Sequence, residues 1–140
     1  MIRKKKKGRI VTGIMAAMLV MSFGTVCMAN GVSVHYNFTQ YAYEDYYDNV
    51  SGFARKDTYS SMYVLCGDST DQFRVHALGS NDGYNYEDCS GGYRYFIRQG
   101  QSVDEMYNFV RENGYYNAGI KGEYQYDGYF HASGHFLTDI

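Results

Sequence analysis

Residues 62–97 read MYVLCGDSTDQFRVHALGSNDGYNYEDCSGGYRYFI, and the predicted fold is organised around this segment. It contains three segments that are predicted to be strands, Met62–Cys66, Gln72–Leu78 and Tyr93–Arg98, and in the second of them Phe73, Val75 and Ala77 alternate with Arg74, His76 and Leu78. Such a period of two is typical of half-buried β-strands. The polar connection Gly67–Asp71 between the first two segments predicts a β-hairpin.

The first 29 residues have the layout of a secretory signal peptide. Basic residues crowd the first nine positions, and the segment from Ile10 to Phe23 carries no charge. An apolar run of about 14 residues is too short to cross a membrane as a helix, which takes about 20. Small residues favour cleavage after Ala29, with Cys27 at position minus three. We therefore expect a secreted mature protein, residues 30–140, forming a single domain; an uncleaved membrane tether is the alternative.

Removal of the leader changes the charge of the protein. Six of the 13 basic residues lie in the leader and all 15 acidic residues lie beyond it, so the mature chain has a net charge of about −8. Such a chain repels phosphate backbones and anionic membrane surfaces. We expect no nucleic-acid partner and no stable membrane insertion after cleavage.

The mature chain keeps two cysteines, Cys66 and Cys89. An even number in a small exported domain favours a disulfide, which would contribute roughly 3 kcal/mol by the loop-entropy argument. This bond requires the glycine-rich loop Gly79–Gly92 to fold back and deliver Cys89 to Cys66. Two free thiols are the alternative, and a strictly anaerobic organism would allow them.

The flanking segments extend the β pattern. Residues 32–38 alternate as a further strand, and the apolar positions change parity at Tyr41, which indicates a bulge or the start of a loop. Residues 53–66 are interpreted as one long strand or two short ones. Ser102–Glu105 matches a helix capping box, so we predict one short helix near residues 103–113.

The C-terminal segment predicts a second hairpin. A three-residue loop, Tyr126–Gly128, pairs Tyr124 with Phe130 and Gly122 with Ala132. This register puts both apolar sets on one face of the sheet, whereas a two-residue turn would put them on opposite faces.

Strands separated by turns at roughly ten-residue intervals predict an all-β antiparallel β-sandwich, with a small barrel as the alternative. At most one short helix is expected.

Candidate metal ligands and catalytic groups are few. In a strand, His131 and His135 stand about 13 Å apart, which is too far for one ion. The acidic loop 81–88 lacks the spacing of an EF-hand. No motif indicates a nucleophile elbow, a phosphate loop or a zinc protease. We expect no cofactor and no enzyme activity; Cys66 could act as a nucleophile only without the disulfide.

Tyrosine is the compositional anomaly, with 17 residues and no tryptophan. Tyr41, Tyr43, Tyr46 and Tyr47 crowd one acidic stretch and form a possible binding face for a saccharide, the cell wall or a protein. The alternative is that the tyrosines simply cover a half-exposed sheet.

The layout resembles a family of small secreted proteins of Gram-positive bacteria without assigned function, distantly similar to the lactococcin-like β-sandwich bacteriocins. The resemblance rests on the lysine-rich leader, on Phe96–Gly100 and Gly114–Gly122, and on Ala132–Phe136 followed by Asp139. It implies a secreted, non-enzymatic protein that acts by binding, in a bacteriocin-like or cell-envelope-directed role. The alternatives are an extracellular glycan- or protein-binding module and a purely structural role.

Overall fold

The computed structural model describes residues 31–41 and 49–140. The predicted signal peptide, residues 1–29, lies outside the described residues, as do Tyr43, Tyr46 and Tyr47 of the predicted tyrosine face. The described residues form strands and no helix. The strands are β1 (Ser33–Gln40), β2 (Ala54–Arg55), β3 (Met62–Ser69), β4 (Phe73–Ser80), β5 (Tyr86–Asp88), β6 (Tyr95–Ile97), β7 (Ser102–Met106), β8 (Asn117–Glu123) and β9 (Phe130–Leu137).

The strands form two antiparallel sheets that do not close into a barrel, as expected for a β-sandwich. Sheet A has the order β1-β9-β3-β7, and sheet B has the order β2-β8-β4-β5, with β6 also paired to β4. The predicted all-β antiparallel class is therefore confirmed.

Aromatic rings from both sheets meet in the core. Phe73 of sheet B lies 5.2 Å from Phe130 and 6.4 Å from Phe38 of sheet A, measured between ring centroids. Phe38 also packs directly on Gly122, where an added Cβ would lie 2.6 Å from the ring. A glycine at this position therefore lets the two layers approach closely.

The predicted strands are confirmed, including the alternation that buries Tyr36 and Phe38 of β1 and exposes Asn37. Residues 53–66 form two strands, β2 and the first part of β3. The parity change near Tyr41 marks the end of β1.

Both predicted hairpins are wrong in their pairing. β3 and β4 belong to different sheets, and so do β8 and β9. Tyr124 and Phe130 do meet, but as rings stacked 4.4 Å apart rather than as neighbours along a hairpin. The physical reason is that two strands bury the same apolar faces whether they pair side by side or face each other across a core.

The predicted helix near residues 103–113 is also wrong. Residues 102–106 form β7, an edge strand in which Val103 and Met106 pair with β3. The Ser102 hydroxyl donates to the Asp104 side chain at 2.7 Å instead of capping a helix. A strand is favoured here because pairing with β3 buries Met106 fully.

The predicted disulfide between Cys66 and Cys89 is absent, because both residues are free and buried. The loop Gly79–Gly92 does fold back, but it pairs with β4 of sheet B, while Cys66 lies on β3 of sheet A. The Cys66 thiol contacts the Asp68 carbonyl oxygen at 3.4 Å, and the Asn113 amide lies 3.7 Å from the Cys89 sulfur. Burial raises the pKa of both thiols, which disfavours the reactive thiolate.

Candidate binding cleft

The outer face of sheet B carries a row of charged side chains. Because β4 buries Val75 and Ala77 in the core, Arg74 and His76 point to the opposite face. The register of β4 with β8 places Glu123 beside Arg74.

Glu123 is the centre of a charged group on this face, the Glu123 network, which consists of Arg74, His76, Asp88, Arg94 and Glu123. Arg74 Nη2 donates to Glu123 Oε2 at 2.8 Å. Glu123 Oε1 lies 3.3 Å from His76 Nδ1 and 3.5 Å from Arg94 Nε. One carboxylate is thus fixed by two guanidinium groups, an arrangement that leaves it little freedom to move.

Asp88 lies at the other end of the Glu123 network, beside Arg94. Arg94 Nη2 lies 2.7 Å from Asp88 Oδ2, and Arg94 Nη1 donates to Ser90 Oγ at 2.6 Å. Burial opposes ionisation of Asp88, but hydrogen bonds from Ser90 and Arg94 outweigh it and lower its pKa to about 2. The Ser90 hydroxyl bonds with Asp88 and Arg94, so the network does not have the arrangement of a serine nucleophile activated by His76.

His76 is the most buried member of the network, with 3% of its surface exposed. Burial, followed by the nearby positive charge of Arg94, lowers its pKa to about 4. The imidazole is therefore neutral at pH 7. Its Nδ1 makes no aligned hydrogen bond with any described residue despite its closeness to Glu123.

A cleft of about 230 Å³ opens beside the Arg74–Glu123 ion pair. Its walls include the aromatic rings of Phe96 and Tyr126, which are 59% and 65% exposed. Its floor carries polar groups, and Gln125, with its amide oxygen facing Arg74, accepts from Arg74 Nη2 at 2.9 Å. We call this site, with Asp71, Gln72 and Phe73 completing its lining, the aromatic cleft.

None of the described site residues predicted from the sequence lines the aromatic cleft. Tyr41 is exposed, its ring lies 5.9 Å from that of Tyr129, and it is not among the residues that line the aromatic cleft. Cys66 and Cys89 belong to the core and line none of the cleft.

The candidate metal ligands do not form a cluster. His131 bonds with the Asn37 side chain at 3.1 Å. In the loop 81–88, Asp82 accepts from the backbone amides of Tyr84 and Asn85, which lowers its pKa to about 2. Within the part of the chain that the structure describes, no group of three or more His, Cys, Asp or Glu side chains is arranged to hold a metal ion.

The aromatic cleft was not predictable from local sequence patterns, because its lining comes from three separate segments of the chain, residues 71–74, 96 and 123–126. One signal was available: the alternation of residues 72–78 places Arg74 and His76 together on the polar face of a strand. Charged side chains on one face of a predicted strand thus indicate which side of the sheet to examine.

Comparison with protein-family models, with curated proteins and with solved structures found no match for this chain. Among residues 31–41 and 49–140, no helix is long and apolar enough to cross a membrane. We therefore infer a function from the fold and from the geometry of the aromatic cleft.

Proposed function

We propose that this chain is a secreted, non-enzymatic protein that binds a glycan of the cell envelope in the aromatic cleft. The observation that carries the proposal is the pairing of two exposed aromatic walls, Phe96 and Tyr126, with a polar floor formed by Arg74, Glu123 and Gln125. Binding sites commonly combine apolar walls with a few fixed polar groups.

A sugar ring matches this combination of groups. The apolar face of a pyranose can pack on an aromatic ring, while its hydroxyl groups both donate and accept hydrogen bonds. Glu123 offers acceptors, Arg74 offers donors, and the amide of Gln125 offers both. The volume of about 230 Å³ is small for a ligand site and suits one sugar residue of a longer chain.

The charges of the cleft favour a neutral sugar over an anionic ligand. The guanidinium of Arg74 is already paired with Glu123 at 2.8 Å, so an incoming anion gains little from it. The mature chain also has a strong negative charge by its sequence, which repels anionic polymers.

The cleft is held by the central strands of sheet B. β4 and β8 pair continuously from Arg74–Glu123 to Ser80–Asn117. A ligand site on rigid strands loses little conformational entropy on binding.

The family resemblance supports the cell envelope as the place of action and a bacteriocin-like role as the biological outcome. A bacteriocin-like protein must first attach to the surface of another cell, and the aromatic cleft offers a means of attachment. Growth inhibition of related bacteria is therefore included in the proposal.

A pull-down with purified Gram-positive cell walls tests the proposal. Untagged full chain should bind the walls, and Phe96→Ala and Tyr126→Ala should each weaken binding by about tenfold, or ~1.4 kcal/mol. Tyr84→Ala is the matched control, because Tyr84 is an exposed tyrosine that does not line the cleft. Equal loss in Tyr84→Ala, or no binding by the unaltered protein, would contradict the proposal.

The bacteriocin-like role needs a separate assay. Purified protein should inhibit growth within a broad panel of related bacteria, and Phe96→Ala should reduce that inhibition. Wall binding without inhibition of any strain would leave the glycan-binding proposal standing and remove the bacteriocin-like role.

A further inference from the structure

Two histidines face each other on the outer face of sheet A. β1 pairs with β9 in a register that places His35 directly opposite His135. Both side chains are exposed, while Tyr36 and Phe136 beside them point into the core. The two imidazole centroids lie 5.0 Å apart, with the ring planes at 74°.

This separation suits the chelation of one metal ion. Zinc binds imidazole nitrogen at about 2.0–2.1 Å, and two imidazoles on one tetrahedral ion have their ring centroids roughly 5 Å apart. Because the pair lies directly across two hydrogen-bonded strands, the backbone places the two side chains opposite each other before any ion arrives.

The nitrogens of both rings are available for a ligand. Neither His35 nor His135 makes a hydrogen bond or an ion pair with another described residue, and each ring contacts the other. His131, on the same face of β9, differs in this respect because it bonds with Asn37 and lies 3.8 Å from Asp68.

We propose that His35 and His135 chelate a divalent transition-metal ion, Cu²⁺ or Zn²⁺, on the outer face of sheet A. Imidazole suits both ions, and Cu²⁺ binds a given nitrogen site more tightly than Zn²⁺ does. Two protein ligands leave the remaining coordination positions to water or to an external molecule. The site is thus an open one that exchanges its ion readily, unlike a closed structural zinc site with four protein ligands.

Calorimetric titration of the untagged full chain with Cu²⁺, and separately with Zn²⁺, tests this proposal. We expect one ion per chain, with the tighter binding for Cu²⁺. His35→Ala and His135→Ala should each weaken binding by more than about tenfold, because even loss of a supporting group around a metal costs 10–100-fold. Electron paramagnetic resonance of the Cu²⁺ complex should show two coordinating nitrogens, and only one in either variant.

His131→Ala is the matched control, because it removes a histidine from the same strand and the same face. Its affinity should equal that of the unaltered protein, and far-UV circular dichroism should show all three variants folded. Equal loss of affinity in His131→Ala, or a titration without saturable binding, overturns the proposal. One ion per two chains, abolished by the same two variants, supports it with a second copy of the chain as the external ligand.

The metal site is independent of the aromatic cleft, which belongs to sheet B. Phe96→Ala should therefore leave ion binding unchanged. Failure of one proposal does not imply failure of the other.

Discussion

Replacement of Asp139 by alanine should destabilise the protein strongly, because it removes one half of a buried ion pair. The side chain of Lys56 is fully buried and that of Asp139 is 6% exposed. Lys56 Nζ donates to Asp139 Oδ1 at 2.9 Å, to the Ser60 carbonyl at 2.7 Å and to the Thr138 carbonyl at 2.6 Å. Three acceptors use the three protons of an ammonium group, so we infer that Lys56 is charged.

The carboxylate of Asp139 has partners of its own. It accepts from the backbone amides of Asp57 at 2.9 Å and Thr58 at 3.2 Å, and from the Thr58 hydroxyl at 2.7 Å. Burial opposes ionisation of Asp139, but the hydrogen bonds from Thr58 and Lys56 outweigh it and lower its pKa. The C-terminal end of the chain is thereby fixed to the connection between β2 and β3.

The expected cost follows from what Asp139→Ala leaves behind. A buried charge that loses its partner costs about 3–5 kcal/mol, out of a total stability of about 5–15 kcal/mol for a domain. In urea unfolding followed by circular dichroism, the midpoint should fall by roughly 2 M, at a slope of 1–3 kcal/mol per M.

Two further variants make the measurement decisive. Asp57→Ala removes a carboxylate from an exposed ion pair with Arg55, whose side chains are 61% and 77% exposed, and should cost less than about 1 kcal/mol. Lys56→Met combined with Asp139→Ala should recover part of the loss, because no buried charge remains. A cost below 1 kcal/mol for Asp139→Ala, or no recovery in the double variant, would show that the buried ion pair does not hold the folded state in this way.

Three other outcomes are expected. Burial holds the pKa of His76 at about 4 in the folded state, below its ordinary value of 6.5, so the unfolded state takes up the proton first. The free energy of unfolding should therefore fall by at most about 3 kcal/mol as pH drops from 6.5 to 4. Urea titrations of His76→Gln should lack this pH-dependent loss of stability. Gly134→Ala should cost about 3 kcal/mol in the same assay, because the added Cβ overlaps the backbone of β3, whereas Gly67→Ala, with ordinary contact distances, should not. Peptide mapping after alkylation in urea without reductant should find Cys66 and Cys89 both modified, and a bridged peptide would contradict the structure.

The strands were predictable because each carries a local period of two. β1 shows this best, since its buried Tyr36 and Phe38 alternate with exposed Asn37. The partner of each strand was not predictable in this way. Tyr124 and Phe130 fit a hairpin and a pair of facing sheets equally well, because both arrangements put the two rings in the same core.

Strand pairing between distant parts of the sequence also explains the other differences between the predicted and the observed structure. The capping pattern at Ser102 is a local signal that favours a helix. The burial of Met106 against β3 favours a strand, and the strand is what forms. The sequence pairs His135 with His131 of the same strand as candidate metal ligands. The neighbour of His135 in space is His35, from the opposite end of the domain. The aromatic cleft is likewise built from residues that only the sheet topology brings together.

The position of β9 between β1 and β3 affects how the chain reaches its folded state. β9 follows every other described strand in the sequence, and within the described part of sheet A it alone connects β1 with β3. Contacts of such long sequence separation slow folding, since a large loop must close before they form. Sheet A is therefore incomplete until β9 pairs with β1 and β3. For a protein that we propose to be exported, we expect this late completion of sheet A to keep the polypeptide in a state that can still be threaded across a membrane.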